Sequence, residues 1–103
     1  MAFDLYLDDA GPRMRHAWID TNEEAILSPD SSRYPQLARL LSEFYGAPRI
    51  SPGQAAALMQ EVIGRLLDEP HGAEGPLAEV GLRLILLFDQ AQRHGLHIQC
   101  EGD

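Results

Sequence analysis

The chain has 103 residues, 45% of them apolar, and its sixteen acids against eight basic residues give a formal charge of −8 at pH 7. That length suits one domain, residues 1–103, burying about 60–70% of its unfolded surface, and Trp18 with three Phe and three Tyr argues against intrinsic disorder. The negative balance argues against nucleic acid and anionic membranes as partners, since clustered basic residues hold both, and it favours a basic protein partner.

All eight basic residues are Arg, a bias that a GC-rich genome produces and that leaves no lysine for Schiff-base or lysine-nucleophile chemistry. Cys100 is the one cysteine, so an internal disulfide is impossible and a cysteine-based zinc site is disfavoured. No apolar run approaches the roughly 18–20 residues that cross a bilayer. The opening MAFDLYLDD carries acids where a secretory signal carries basic residues. A soluble, cytoplasmic protein is the expectation.

Residues Ala2 to Leu7 alternate, with Phe3, Leu5 and Leu7 on one side and Asp4, Tyr6 and Asp8 on the other. Period two predicts a strand with one buried face. Asp8 to Pro12 is turn chemistry, and a second strand over about Arg13 to Ile19 is expected to return antiparallel. Its facing stays open: Met14, His16 and Trp18 form one side, and Arg15, Ala17 and Ile19 the other. Thr21 followed by Glu24 has the capping-box form and predicts a short helix to Leu27, with a short strand over Glu24 to Leu27 as the alternative. Tyr34, Leu37, Leu41, Phe44 and Tyr45 mark one face of the next helix, with Pro35 in its first turn. Gly46 and Pro48 end it. Ser51 and Gln54 form a second capping box, opening a helix with Ala55, Leu58, Met59, Val62, Leu66 and Leu67 in one stripe. On its outside Glu61 is expected to pair with Arg65 at i,i+4. Asp68 to Pro76 reads as a surface loop within one domain.

Pro76 to Gly95 is the longest strongly apolar segment and its pattern is helical. Leu77, Val80, Gly81, Leu84, Leu87, Phe88 and Ala91 follow one face, and Leu82, Ile85 and Leu86 add a second apolar flank. A helix so nearly apolar all round belongs at the centre of a domain or in an interface. The other helices and the sheet are expected to cover Leu82, Ile85 and Leu86, leaving a monomer. After Gly95 the pattern returns to period two, with Leu96, Ile98 and Cys100 inward and His97, Gln99 and Glu101 outward. The result is an α+β fold: a small, mainly antiparallel sheet (N-terminal hairpin plus C-terminal strand) packed on one face by three or four helices.

Signs of chemistry are sparse. Histidines stand at 16, 71, 94 and 97, and Gly95 keeps His94 and His97 off a shared helix face. A metal site there needs Asp89 or Glu101 as partners, and a helix-end His94 with a solvent-facing His97 is the plainer account. Asp4, Asp8 and Asp9 match no calcium-loop spacing and suit a turn. Cys100 with His97 or His16 imitates a Cys–His pair without an orienting third group. No serine elbow, phosphate loop or dinucleotide fingerprint is present. No catalysis, no cofactor and no metal are therefore expected. What remains is a surface: Asp4, Tyr6, Asp8, Trp18, His97, Gln99 and Glu101 on the outer face of the sheet, acids mixed with aromatic anchors of the kind that hold a basic protein partner.

The opening MAFDLYL, the helix entry Tyr34-Pro35-x-Leu37-x-x-Leu40 and the close AQRHGLHIQCEGD together resemble small bacterial immunity proteins of polymorphic-toxin and secretion-system effector pairs. The resemblance implies a cytoplasmic antitoxin-like protein, without catalysis, that binds and neutralises a cognate toxin. It transfers no binding residue, because contact residues diverge in such families. A homo-oligomeric structural or regulatory subunit, using the second apolar flank of the central helix, is the alternative, followed by a small enzyme.

Overall fold

Strand β1 (Ala2–Leu7) holds the sheet together, because it is hydrogen-bonded along both edges. A computed structural model describes residues 2–8, 16–28, 30–43, 46–71 and 74–102. After β1 come β2 (His16–Asp20), a 3-10 helix (Thr21–Ile26), α1 (Pro35–Ser42), β3 (Arg49–Ile50), α2 (Pro52–Asp68), α3 (Ala78–His94) and β4 (Ile98–Glu101). The strand order is β2-β1-β4-β3, and every neighbouring pair is antiparallel. The two ends of the chain thus lie side by side, as an α+β fold with a terminal strand added to an N-terminal hairpin requires.

Register settles the facing of β2. Phe3 lies opposite Ile19 and Leu5 opposite Ala17, while Asp4 faces Trp18 and Tyr6 faces His16. Directly opposed residues share a face, so Ala17 and Ile19 point into the core and His16 and Trp18 point out. Met14 and Arg15 lie outside the described residues. On the other edge Leu5 faces Cys100 and Leu7 faces Ile98. Phe3, Leu5, Ile19, Ile98 and Cys100 are all fully buried, and each large apolar side chain so buried contributes roughly 1.5–3 kcal/mol.

β3 has no counterpart in the sequence reading. The chain leaving α1 lies along β4, where Cys100 N–H donates to Pro48 O (2.9 Å) and Gly102 N–H to Gly46 O (2.8 Å). Pro48 is tolerated because this is the sheet edge, where a missing donor costs no ladder bond.

α3 lies against the inner face with Val80, Gly81, Leu84, Leu87, Phe88 and Ala91 buried. Its end at Gly95, with φ +64, is the left-handed stop that glycine adopts without a Cβ penalty. α2 packs beside α3 so closely that a Cβ on Gly81 would stand 2.7 Å from Leu66 Cδ1. The capping box of Ser51 and Gln54 is present, with Gln54 N–H donating to Ser51 Oγ (3.1 Å) and Ser51 N–H to Gln54 Oε1 (2.9 Å).

Four expectations need correction or limit. The 3-10 helix is capped one residue earlier than expected: Asp20 N–H donates to Glu23 Oε1 (3.1 Å), because β2 runs as far as Asp20. Glu61 does not pair with Arg65. It accepts from the N–H groups of Gln36 (2.9 Å) and Leu37 (3.0 Å) at the start of α1, where Pro35 occupies the first position and no side chain of α1 caps its own donors. Arg65 instead pairs with Glu69 and donates to Ala25 O (2.9 Å). The covering foreseen for the second flank of α3 is incomplete: Leu82 and Leu86 keep 57% and 60% of their surface exposed, because α2 lies against the Gly81–Ile85 side only. Phe44 and Tyr45 lie outside the described residues.

Asp68, at the end of α2, accepts from the Tyr34 hydroxyl and, at 2.6 Å, from Arg33. α1 is therefore tied to α2 by two carboxylates, Glu61 and Asp68. Glu61→Ala is expected to destabilise the fold by about 1–2 kcal/mol, as loss of a helix-start acceptor does. A double-mutant cycle of Glu61 with Arg65 in urea unfolding is expected to show no coupling, within about 0.2 kcal/mol. Favourable coupling of about 0.3–0.5 kcal/mol would restore the i,i+4 pair.

Candidate recognition surface

The alternation that sends Phe3, Leu5 and Leu7 inward sends Asp4, Tyr6 and Asp8 outward, and the register lines them up with their neighbours. One cross-strand row runs Trp18, Asp4, Glu101; the next runs His16, Tyr6, Gln99, Arg49. Six of the seven residues expected on this face, Asp4, Tyr6, Asp8, Trp18, Gln99 and Glu101, are thus brought together. His97 is exposed at the margin, just before β4, with its carbonyl accepting from Asp8 N–H at 2.8 Å.

The aromatic half of the face is pre-assembled. The Tyr6 and His16 rings stack with centroids 4.6 Å apart and planes 10° apart, and Trp18 follows at 5.5 Å from His16. His16 Nε2 lies 2.8 Å from Asp4 Oδ1, which fixes the ring's rotation. The Arg83 guanidinium reaches out from α3 and sits 4.0 Å over the Trp18 ring. It also donates to Trp18 O at 2.8 Å and Glu23 Oε1 at 3.1 Å. With Arg83 and Glu23 side chains each only 15% exposed, this is a partly desolvated cation–π clamp, stronger than an exposed one. Trp18 is held on one side and 37% exposed.

The other half is polar and concave. Tyr6, Leu7, Asp8, Arg49, Gln99 and Glu101 line an open depression of about 510 Å³, across whose rim Arg49 reaches Asp8 at 2.7 Å. Desolvation, and then the charges of Asp4 and Glu101, push the Tyr6 phenol above its ordinary value. Among the described residues of the face, Asp4, Asp8, Asp20 and Glu101 outweigh Arg49 and leave it acidic.

His16, Arg49 and Arg83 escaped the sequence reading of this surface. For His16 the signal was present, since a strand that turns Trp18 outward must turn His16 outward too. Arg49 and Arg83 belong to elements whose position against the sheet has no local signature.

The Cys–His pair weighed from the sequence does not assemble among the described residues. Cys100 is fully buried on the inner face, while His16 is on the outer face and His97 is exposed, so the sheet separates thiol from imidazole. Burial, and then the charge of Glu43, push the Cys100 thiol from an ordinary 9.0 up to about 12. Among the described residues no three His, Cys, Asp or Glu side chains stand together as metal ligands. None of their helices is long and apolar enough to cross a membrane. Asp9 lies outside them.

Comparison of the chain with known protein families, with curated proteins and with solved structures gives no match. The surface has to be read from its own chemistry.

Cys100 provides a test of this placement. In the native protein at pH 8 it is expected to resist a thiol-reactive disulfide reagent, and to react fully once urea unfolds the chain, because the thiolate is the reactive form. Since the unfolded thiol ionises near 9.0 and the folded one near 12, its contribution to stability is intact below pH 9 and lost as pH rises toward 12. Fast native-state labelling at pH 8 would place the thiol at the surface.

Proposed function

We propose that this chain is a non-catalytic protein-binding module of the immunity-protein kind, which neutralises a cognate bacterial toxin in the cytoplasm by docking on it and occluding it. The sheet's outer face is the docking surface and a basic patch on the toxin domain is its target. The observation that carries this reading is the clamped aromatic row Tyr6, His16, Trp18 beside the carboxylates Asp4, Asp8 and Glu101.

Two physical arguments support it. Aromatic side chains dominate binding energy where they are already held, because no rotamer freedom remains to be lost on docking. Arg83 and His16 hold Trp18 and Tyr6 in that way before any partner arrives. A net charge of −8 accelerates encounter with a basic surface, and its effect is largest at low salt. The depression beside Tyr6 offers carboxylates and an amide to the cationic or polar side chains of such a surface. No step of this reading requires a metal, a cofactor or nucleic acid.

The test is co-expression with a toxin domain encoded beside this chain, measuring both protection and complex formation. Asp4→Lys with Glu101→Lys is expected to slow association about tenfold at low salt and to flatten its salt dependence. Trp18→Ala and Tyr6→Ala are expected to speed dissociation about tenfold or more, as loss of a central aromatic anchor does, with circular dichroism confirming the fold. Binding indifferent to all four changes would overturn the choice of face. Loss of protection with binding intact would overturn occlusion as the mode of action.

A further inference from the structure

On the side of the molecule away from the sheet, α2 and α3 carry a second surface that the proposed docking face does not use. Leu82 and Leu86 are 57% and 60% exposed on α3, and Ile63 and Leu67 are 36% and 79% exposed on α2. Each pair is four residues apart and so shares one helix edge. Leu66, Ala78, Leu82 and Ile85 line a common groove between the helices. Large apolar side chains left exposed in a row along a helix are the feature that marks interaction sites.

The charges along α3 say what covers it. Glu79, Leu82, Leu86, Asp89 and Arg93 follow 3-4-3-4 spacing and form one outward stripe. Glu79 at one end is 88% exposed and Arg93 at the other is 68% exposed. Arg93 is paired within the helix to Asp89 at 3.1 Å. Glu79 has only Arg83 at 3.7 Å, a side chain turned off the stripe toward Trp18 and Glu23, so the stripe carries two acids and one base, with opposite signs at its two ends. A strongly charged partner finds little to select there. A second copy does.

We infer that two copies of the chain pair through α3 in an antiparallel, two-fold dimer centred on Leu86. In that register Glu79 of each copy lies opposite Arg93 of the other, and Leu86 meets Leu86 at the axis. An antiparallel register centred between Leu82 and Leu86 sets Glu79 against Asp89, and a parallel pairing sets Glu79 against Glu79. Like charges across an interface select against both. The area is adequate. Helices of 17 residues are about 25 Å long, and two of them side by side present a face about 20 Å wide. Each copy therefore buries about 500 Å², which brings the pair to about 1,000 Å², the lower limit of a specific interface. A reversible, concentration-dependent dimer is the form that area supports, and it leaves both sheet faces free. The monomer expected from the sequence rested on Leu82, Ile85 and Leu86 all being covered within the chain.

Sedimentation equilibrium of the full chain between about 10 µM and about 1 mM, a range that captures weak affinities, is expected to show a mass rising from 11.4 kDa toward twice that value. Leu86→Glu is expected to hold the protein at monomer mass. Glu79→Arg and Arg93→Glu are each expected to weaken the dimer about tenfold, and the double reversal to restore it. Within one chain these residues are about 21 Å apart, so only a contact between copies restores it. Leu86→Cys, treated with oxidised glutathione as the electron acceptor, is expected to form a covalent dimer, with the buried Cys100 taking no part. Monomer mass at every concentration would overturn the dimer and assign the stripe to another occupant. A wild-type dimer in which the double reversal fails to restore association, or Leu86→Cys fails to cross-link, would overturn this register.

Discussion

β1 is bonded to a neighbour along each edge, and this fixes both surfaces of the sheet at once. Its inward residues Phe3, Leu5 and Leu7 are the apolar floor on which α3 rests. Its outward residues Asp4 and Tyr6 are the middle of the candidate recognition surface, with β2 on one side and β4 on the other. Because the side-chain period is two, a slip of one residue in either pairing would send Phe3 and Leu5 into water and bury two polar groups. Core and surface are therefore not independent. The energy that holds Leu5 between Ala17 and Cys100 also holds Tyr6 between His16 and Gln99.

Arg83 carries this coupling from the sheet into the helices. It stands on α3, yet the acceptors of its hydrogen bonds, Trp18 O and Glu23 Oε1, belong to β2 and the 3-10 helix. A partly buried charge of this kind is tolerated only when its donors are used and an opposite charge is near. The planar guanidinium meets that demand by stacking on indole while donating in its own plane, a geometry a lysine ammonium does not offer. So the absence of lysine, whatever its origin in codon usage, has a structural use at this one place. The pose of Trp18 depends on α3 being seated, which in turn depends on Gly81 letting α2 approach.

The elements legible in the sequence are those whose signal is local. β1 and β4 alternate, α2 opens with a capping box, and α3 ends at a glycine; each can be read from a window of a few residues. β3 is two residues long and follows a proline, so it is a strand only because β4 offers a free edge. Glu61 shows the same limit from the other side. Its i,i+4 partner was visible in the sequence, but the stronger claim of two unpaired N–H groups on α1 came from 24 and 25 residues away. Leu82 and Leu86 are correctly seen as apolar, but periodicity says which face a residue occupies and not what covers that face. For the recognition surface, alternation placed the residues of β1 and β4, while Arg49 and Arg83 entered through tertiary packing alone.

The two candidate interfaces differ in the physics that would select their occupants. The sheet face is acidic, so two copies approaching sheet to sheet repel one another, and the short β3 edge with Pro48 and Arg49 gives little for strand pairing. The helical stripe carries a smaller excess, Glu79 and Asp89 against Arg93, because Arg83 is turned toward Trp18 and Glu23. At physiological salt, where fields fade over about 8 Å, an approaching surface senses the nearest patch and not the whole charge of the chain. A basic partner would therefore be drawn to the sheet, and a like-charged copy would meet least resistance at the helices. The same excess of acids that would attract one partner thus keeps the second copy away from that partner's site.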